Sequence, residues 1–252
     1  MYTYDEIRTV HLEITQKCQA ACPMGDRNEN GGVDNRHITN AELSLHDCQS
    51  IFTPAFIQQL NTMYMCGNLG DPIVARDSLE VFDYFRQHNQ KMWLSMNTNA
   101  GAKPVEWWRE LAQVYGRMGT VIFSVDGLQD TNHLYRQNVV WDNVERNMRA
   151  FIEAGGRARW DYIIFGHNEH QVEEAEALAD AWGVVRFQKK KSARFFTATS
   201  KAKDFHQARN RKGEQTQVIA KPTSVDNQNL ALLKQKEIEK VVHNWELSLI
   251  HI

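Results

Sequence analysis

The sequence predicts an α/β protein: a partial (β/α)6 TIM-like barrel of parallel strands. Two observations carry that prediction. Six short apolar stretches rich in β-branched or aromatic residues recur along residues 8–190, and amphipathic stretches of helical period separate most of them. Units of this kind pair their strands in parallel through right-handed crossovers, and a barrel left open at one side is the most economical way to arrange six. No Gly-rich dinucleotide fingerprint follows the first strand, so an open doubly wound sheet ranks second.

The strands are expected at Val10–Thr15, Thr62–Cys66, Met92–Met96, Thr120–Val125, Asp161–Phe165 and Val184–Phe187. Between them, Leu45–Phe52 reads as a helix that buries Cys48. Asp77-Ser-Leu-Glu80 offers an N-cap and an acidic third residue before Leu79, Phe82 and Phe85 on one face. Pro104 suits a first helical turn, followed by Val105, Trp108, Leu111 and Tyr115 at helical spacing. Trp141, Val144, Met148 and Phe151 form another stripe, stopped by Gly155-Gly156. Asn168 and Gln171 could cap a helix carrying Val172, Ala175, Leu178 and Trp182. The tryptophans at helical spacing, Trp108, Trp141 and Trp182, are read as core.

After Lys191 the pattern fails. Phe195–Pro222 has no clear period, and from Arg186 to Lys221 eleven Lys/Arg face only Asp204 and Glu214, an excess of nine positive charges in a chain of net charge −2. Such a basic, weakly apolar segment reads first as a solvated connection, and second as a binder of acidic peptide or nucleic acid. Asn229–His243 reads as one more helix. The final Leu247-Ser-Leu-Ile-His-Ile252 resembles the translation of a transposon-end sequencing adapter, so it is set aside as a scar. The organisation expected is therefore a core barrel over 1–190, a basic linker with the start of a truncated C-terminal domain over 191–246, and the scar over 247–252.

Composition excludes little else. A hydrophobic fraction of 42% and a charged fraction of 24% are ordinary for a globular protein. No apolar run has the length of a membrane span, and Met1-Tyr-Thr-Tyr-Asp-Glu lacks the basic-then-apolar signal pattern, so cytoplasm is the default expectation. Four cysteines, two close together, suit metal or redox chemistry in a reducing compartment better than a disulfide framework.

On this strand map the unusual residues fall at one end of the sheet. Cys18 and Cys22 follow strand one, and Cys66-Gly-Asn-Leu-Gly-Asp-Pro72 follows strand two. Asn97-Thr-Asn-Ala-Gly101 follows strand three, Ser124-Val-Asp-Gly127 ends strand four, and His167-Asn168 follow strand five. In parallel barrels that end builds the active site. Each piece alone has a plainer explanation: Gly70-Asp71-Pro72 as a turn, Asn97–Asn99 as a satisfied polar turn, Ser124 and Asp126 as caps, His167 and His170 as capping or surface residues.

Together the pieces resemble the radical S-adenosylmethionine (radical SAM) superfamily, over roughly residues 8–190. Leu12-Glu-Ile-Thr-x-x-Cys18-x-x-x-Cys22-Pro-Met is similar to the family's entry into its cluster loop. Gly70-Asp71-Pro72 is similar to its Gly-Gly-Glu-Pro turn, Asn97–Asn99 to its strand-three element, and Ser124-Val-Asp126-Gly127 with Arg136 to its strand-four pattern. The likeness is greatest to members that carry a SPASM or twitch domain. It implies a [4Fe–4S] cluster with Cys18 and Cys22 as ligands. It also implies S-adenosylmethionine held by Gly67, Gly70, Asp71, Pro72, Asn97, Asn99, Ser124, Asp126 and Arg136, with glycine backbone approaching the methionyl end. The implied partners are an external one-electron donor and a peptide, protein or small-molecule substrate, with no membrane and with nucleic acid disfavoured. The implied reaction is an oxidoreductase chemistry in which reductive cleavage of the cofactor yields a radical that abstracts hydrogen.

One residue departs from the pattern: Gly25 stands where a third cysteine would complete C-x-x-x-C-x-x-C. Glycine supplies no ligand. Asp26 offers only a harder oxygen donor, and Cys66 is the other thiol near the site. Two further readings therefore stay open: a non-catalytic barrel that binds S-adenosylmethionine or a partner without a cluster, and a zinc or redox pair at Cys18/Cys22. No second cysteine pair supplies four zinc ligands.

Overall fold

The computed structural model describes residues 3–195 and 203–229. Six strands, β1 (Thr9–Leu12), β2 (Thr62–Met65), β3 (Trp93–Thr98), β4 (Gly119–Ser124), β5 (Ala158–Ile164) and β6 (Arg186–Lys191), form one all-parallel sheet in sequential order. β1 does not pair with β6, so the barrel is open between them. The expected partial barrel is the fold.

The crossovers carry α1 (Leu45–Ile51), α2 (Pro54–Gln59), α3 (Ser78–His88), α4 (Val105–Tyr115), α5 (Asn132–Tyr135), α6 (Trp141–Glu153) and α7 (Val172–Trp182). Their ends follow local chemistry. Ser44 and Asp47 exchange side-chain and backbone hydrogen bonds in a capping box that opens α1. Thr53 Oγ1 accepts from Phe56 N at 3.3 Å, with Pro54 in the first turn of α2. Asp77 precedes α3 as expected but does not cap it: its Oδ2 accepts from Leu45 N at 3.0 Å and so ties α3 to α1.

Side-chain alternation divides the sheet into two unlike faces. Leu12, Met63, Met65, Leu94, Met96, Val121, Phe123, Trp160 and Tyr162 are buried against the helices, with Phe82, Phe85, Trp108 and Phe151 packed over them. Trp108 is fully buried; Trp141 and Trp182 are partly buried and pack against the same core. Cys48 is buried there too. The opposite, concave face is mostly half-buried and carries most of the sheet's polar and charged side chains beside Tyr64, Trp93, Ile122 and Ile163.

Arg86 locks α3 to α4 through backbone carbonyls, with no ion pair among the described residues. Its guanidinium donates to six backbone carbonyls, those of Asn89, Gln90, Met92, Val114, Tyr115 and Met118, at 2.9–3.3 Å. These carbonyls belong to helix ends and turns that have no intrahelical donor. Arg86→Met, which keeps the stem, should therefore lower the unfolding free energy by about 2 kcal/mol in a denaturant titration, since it orphans several acceptors at once.

The segment after Lys191 is more ordered than its sequence suggests. β7 (Phe205–Arg209) and β8 (Gln215–Ala220) form an antiparallel hairpin with a register shift between Gln207 and Arg209. The hairpin lies back on the barrel: Gly166 N donates to Ala220 O at 2.9 Å, Arg209 N to Asn30 O at 2.8 Å and Gln217 Nε2 to Leu134 O at 2.6 Å. Ile219 is buried with Tyr135, Phe165 and Phe195 in a second small core. Its strands escape a period-two reading because polar residues occupy most positions on both faces. The helix expected over Asn229–His243 lies, but for its first residue, outside the described residues, as does 247–252. No described helix is long and apolar enough to cross a membrane.

Candidate functional site

A cavity of about 250 Å³ opens at the C-terminal ends of the strands. Cys18, Cys22, Gly67, Gly70, Asp71, Asn97, Asn99, Ser124 and Arg136 all line it, together with Gly25 and Cys66. Loops from four different strands thus converge, as the strand map anticipated. Pro72 and Asp126 do not line it. Pro72 is buried at the start of a short 3-10 turn, and Asp126 lies fully buried behind the wall.

The loops hold one another in place. Asp71 N donates to Lys17 O at 2.9 Å, joining the second loop to the cysteine loop. The Asp71 carboxylate accepts from Ile73 N at 3.2 Å and from Asn99 N at 2.8 Å, joining the third. Burial raises the pKa of that carboxyl, against the lowering effect of these bonds. Asn99 Oδ1 accepts from Gln19 Nε2 at 2.6 Å and Gly101 N at 2.8 Å, while its Nδ2 donates to Cys18 Sγ at 3.7 Å. Gly70 is required by this packing: a Cβ there would overlap the Thr15 carbonyl oxygen. At Gly67 the clash would be with the Gly70 carbonyl. The two glycines are thus demanded by contact between and within loops, a different need from the cofactor approach that the resemblance implies.

Behind the cavity wall, Arg136 Nε donates to Asp126 Oδ2 at 2.7 Å, and Asp126 Oδ1 accepts from Ile163 N at 2.6 Å. Arg136 Nη1 reaches Cys22 Sγ at 3.6 Å. Burial works against the Arg136 charge, yet Asp126, Cys22 and Tyr135 beside it hold its pKa above the ordinary value. Asn168 does not cap the turn it precedes; its Nδ2 donates to Asp126 O at 2.9 Å and its Oδ1 accepts from Phe165 N at 2.7 Å. The two thiols thus sit in different surroundings. Burial, then Asp71 and Cys22, push the Cys18 thiol up to about 12.

Whether these residues suit an iron–sulfur cluster turns on the donor set, and the set is one short. Among the described residues no three His, Cys, Asp or Glu side chains are arranged to hold a metal ion, so Cys66 does not complete the cysteine pair. Asp26 is exposed and lies outside the cavity lining. Position 25 itself is open: a Cβ built on Gly25 would meet only Cys22 O at 3.5 Å and Cys22 Cβ at 3.6 Å, ordinary contacts. The residues present do not fit a cluster held by three thiolates, although the backbone that would present the third is in place.

His167 differs from its expected capping or surface role. Its ring is largely buried and stacks on Phe165 with centroids 5.4 Å apart, and neither ring nitrogen has a hydrogen-bond partner among the described residues. Burial, aided by His133 and His170, pushes its pKa down to about 4. The unfolded chain therefore takes up the proton first, so the stability tied to a neutral His167 is complete above pH ~6.5 and is lost as pH falls toward 4. Allowing for partial exposure, that loss should be on the order of 2 kcal/mol, and His167→Phe should flatten this part of a stability–pH profile. His170, in contrast, is exposed.

The cavity lining also includes residues that the sequence motifs do not point to, the polar Arg27, Asn28 and Arg194 and the apolar Ile163. Arg194 Nη1 donates to Tyr135 Oη at 2.5 Å, which aims the guanidinium at the cavity from the loop after β6.

Comparison with known proteins fits this architecture. The fold is shared with SuiB and anSMEcpe. Streptococcus suis SuiB bound to S-adenosylmethionine superposes with a TM-score of 0.58 at 16% identity, covering 77% of this chain and 43% of SuiB. SuiB bound to its precursor peptide SuiA gives 0.58 at 17%, covering 73% and 40%. anSMEcpe with bound AdoMet gives 0.53 at 12%, covering 74% and 54%. The chain thus spans about half or less of the length of these proteins, and at such identities the likeness is one of fold. No family model and no curated protein matches the chain.

Proposed function

We propose that this chain is the core of a radical SAM protein, that its cavity takes S-adenosylmethionine, and that Cys18 and Cys22 are two members of a three-thiolate site whose third member is missing at Gly25. The observation that supports it is the convergence of Cys18, Cys22, Gly67–Asp71, Asn97–Asn99, Ser124 and Arg136 on one cavity. The cofactor is a zwitterion with a cationic sulfonium and a ribose. Arg136 supplies a guanidinium for the carboxylate, Asp71 an acidic group near the cationic end, and Asn97 and Ser124 polar side chains for the hydroxyls. Arg136 is the anchor best prepared for this role, because Asp126 has already fixed it. The family's reaction, with a one-electron donor and hydrogen abstraction from a peptide or small molecule, is assigned to a form with three thiolates. SuiB and anSMEcpe, both seen with peptides, favour the peptide class.

The test is calorimetric titration of the anaerobic protein with S-adenosylmethionine, with metal analysis of the same sample. Saturable one-to-one binding is expected, weakened about tenfold or more in Arg136→Gln by loss of a charge-assisted pair. Iron and sulfide well below four per chain should accompany it. Absence of binding would overturn the proposal, and zinc without iron would favour the zinc pair.

A further inference from the structure

The concave face of the sheet is built to meet something charged. Ladder partners in a parallel sheet share a face, so the register defines its membership. His11 pairs with Tyr64, Tyr64 with Ser95, Asn97 with Ile122, Ser124 with Asp161, and Arg159 with Arg186. Gln188 and Lys190 follow Arg186 along the same side of β6. A closed parallel barrel fills its interior with branched apolar side chains. Here that face mixes polar and charged residues with Tyr64, Trp93, Ile122 and Ile163, is mostly half-buried, and reaches the cavity, whose lining includes Asn97, Ser124 and Ile163.

Its charge is lopsided. On the β5–β6 side lie Arg159, Arg186 and Lys190, with Arg194 at the cavity just beyond. One carboxylate answers them: Asp161 accepts from Arg159 Nε at 2.5 Å and also pairs with Lys190. Four cations against one anion leave an excess of three. Across the face, Glu13 acts on the same Cys66 thiol as Lys190 and so offsets part of that excess; with Glu42 it lines a hollow beside β1 that shares Asn68 and Leu69 with the cavity. Arg159 and Arg186 stand directly opposite each other across the ladder, and like charges so placed destabilise a sheet. Lysines on the exposed edge strand β6 are explained by protection against edge pairing. That explanation covers the outward-facing Lys189 and Lys191, and inward-pointing charges serve the same protection. It does not call for Arg186 to stand against Arg159 on the neighbouring strand.

We propose that this face binds an acidic peptide segment in extended form, with its carboxylates on Arg186 and Lys190 and one end at the cavity. Spacing selects the class of ligand. Arg186 and Lys190 are four residues apart on one strand, about 13 Å, farther than a single small carboxylate reaches. An extended peptide with successive acidic side chains spans it. A nucleic acid is disfavoured by Asp161 within the cationic cluster and by the acidic residues beside β1. The inference deepens the function proposed above, because the peptide would enter the cavity assigned there to the cofactor.

The experiment measures fluorescence anisotropy of labelled oligoglutamate, oligolysine and oligo-dT of matched length on the full chain, with and without S-adenosylmethionine. Oligoglutamate alone should bind, and raising the salt should weaken it. The Arg186→Gln/Lys190→Gln double variant leaves Arg159 to neutralise Asp161, so it should fold, and should bind oligoglutamate about tenfold more weakly. Arg211→Gln/Lys212→Gln, equally basic but on the hairpin turn, should bind as the parent does. Equal binding of oligolysine or oligo-dT, no binding of oligoglutamate, or an undiminished affinity in the β6 variant would each overturn the proposal. Calorimetry with S-adenosylmethionine separates the two readings: if it binds normally while oligoglutamate does not, the cofactor site stands and the acidic-peptide site falls.

Discussion

Replacing Gly25 by cysteine should raise the iron and sulfide bound after anaerobic reconstitution from a small fraction to near four of each per chain, the content of one [4Fe–4S] cluster. The loop is already shaped for the substitution. Gly25 N donates to Cys22 O at 3.1 Å in a tight turn that holds positions 22 and 25 side by side. The glycine is not in the left-handed region, and a Cβ there makes only ordinary contacts with Cys22. It also lines the same cavity as Cys18 and Cys22, so a thiolate there would complete the set at its mouth. Thiolates are soft donors that suit cluster iron, whereas a hydroxyl of nearly the same size is not. Gly25→Ser is therefore the control and should leave iron content at the parent's level. A full cluster in the parent, or equal occupancy in the serine and cysteine variants, would sink the three-thiolate argument.

Much of this architecture was legible because strand and helix periods are strong along the barrel, but the boundaries moved for identifiable reasons. β1 stops at Leu12, three residues early, because Ile14–Gln16 bonds instead to Ala41–Leu43, where Leu43 N donates to Ile14 O and Gln16 N to Ala41 O at 2.9 Å. β5 starts at Ala158, earlier than expected, since Arg159 and Asp161 point to the polar face and disguise the strand. The sequence points to β6 at Val184–Phe187, yet Val185 is 53% exposed and the strand runs through the lysine triplet to Lys191. A sheet whose inner face is polar does not show the continuous apolar runs expected of a buried parallel sheet. The site was readable as a pooling of loop residues at one end. Arg194 is not, because it sits in a basic stretch without period, and contacts distant in sequence secure it: its bond to Tyr135 and, from the returning hairpin, His206 Nε2 at 2.8 Å from its carbonyl oxygen. The sequence reads Asp126 as a cofactor-binding residue, yet it lies behind the cavity wall, because a sequence cannot tell a residue that touches a ligand from one that supports the residue that does.

That distinction makes Asp126→Ala the most damaging single change expected at the site. The carboxylate is fully buried and holds two things: the Arg136 guanidinium at 2.7 Å and the Ile163 amide at 2.6 Å. Removing it leaves Arg136, whose side chain is only 16% exposed, as a charge without its partner. Breaking a buried pair from one side typically costs about 3–5 kcal/mol, which a denaturant titration would register as a large fall in unfolding free energy. Asp126→Asn keeps an acceptor for Ile163 and should lose less. In Asp126→Ala/Arg136→Met, removal of the stranded charge should recover part of the stability, while affinity for S-adenosylmethionine should stay as low as in Arg136→Gln, because the anchor is gone. Stability and binding would then separate. If Asp126→Ala binds the cofactor as tightly as the parent, Arg136 needs no support from behind the wall, and its orientation must come from Tyr135 and the Cys22 thiol.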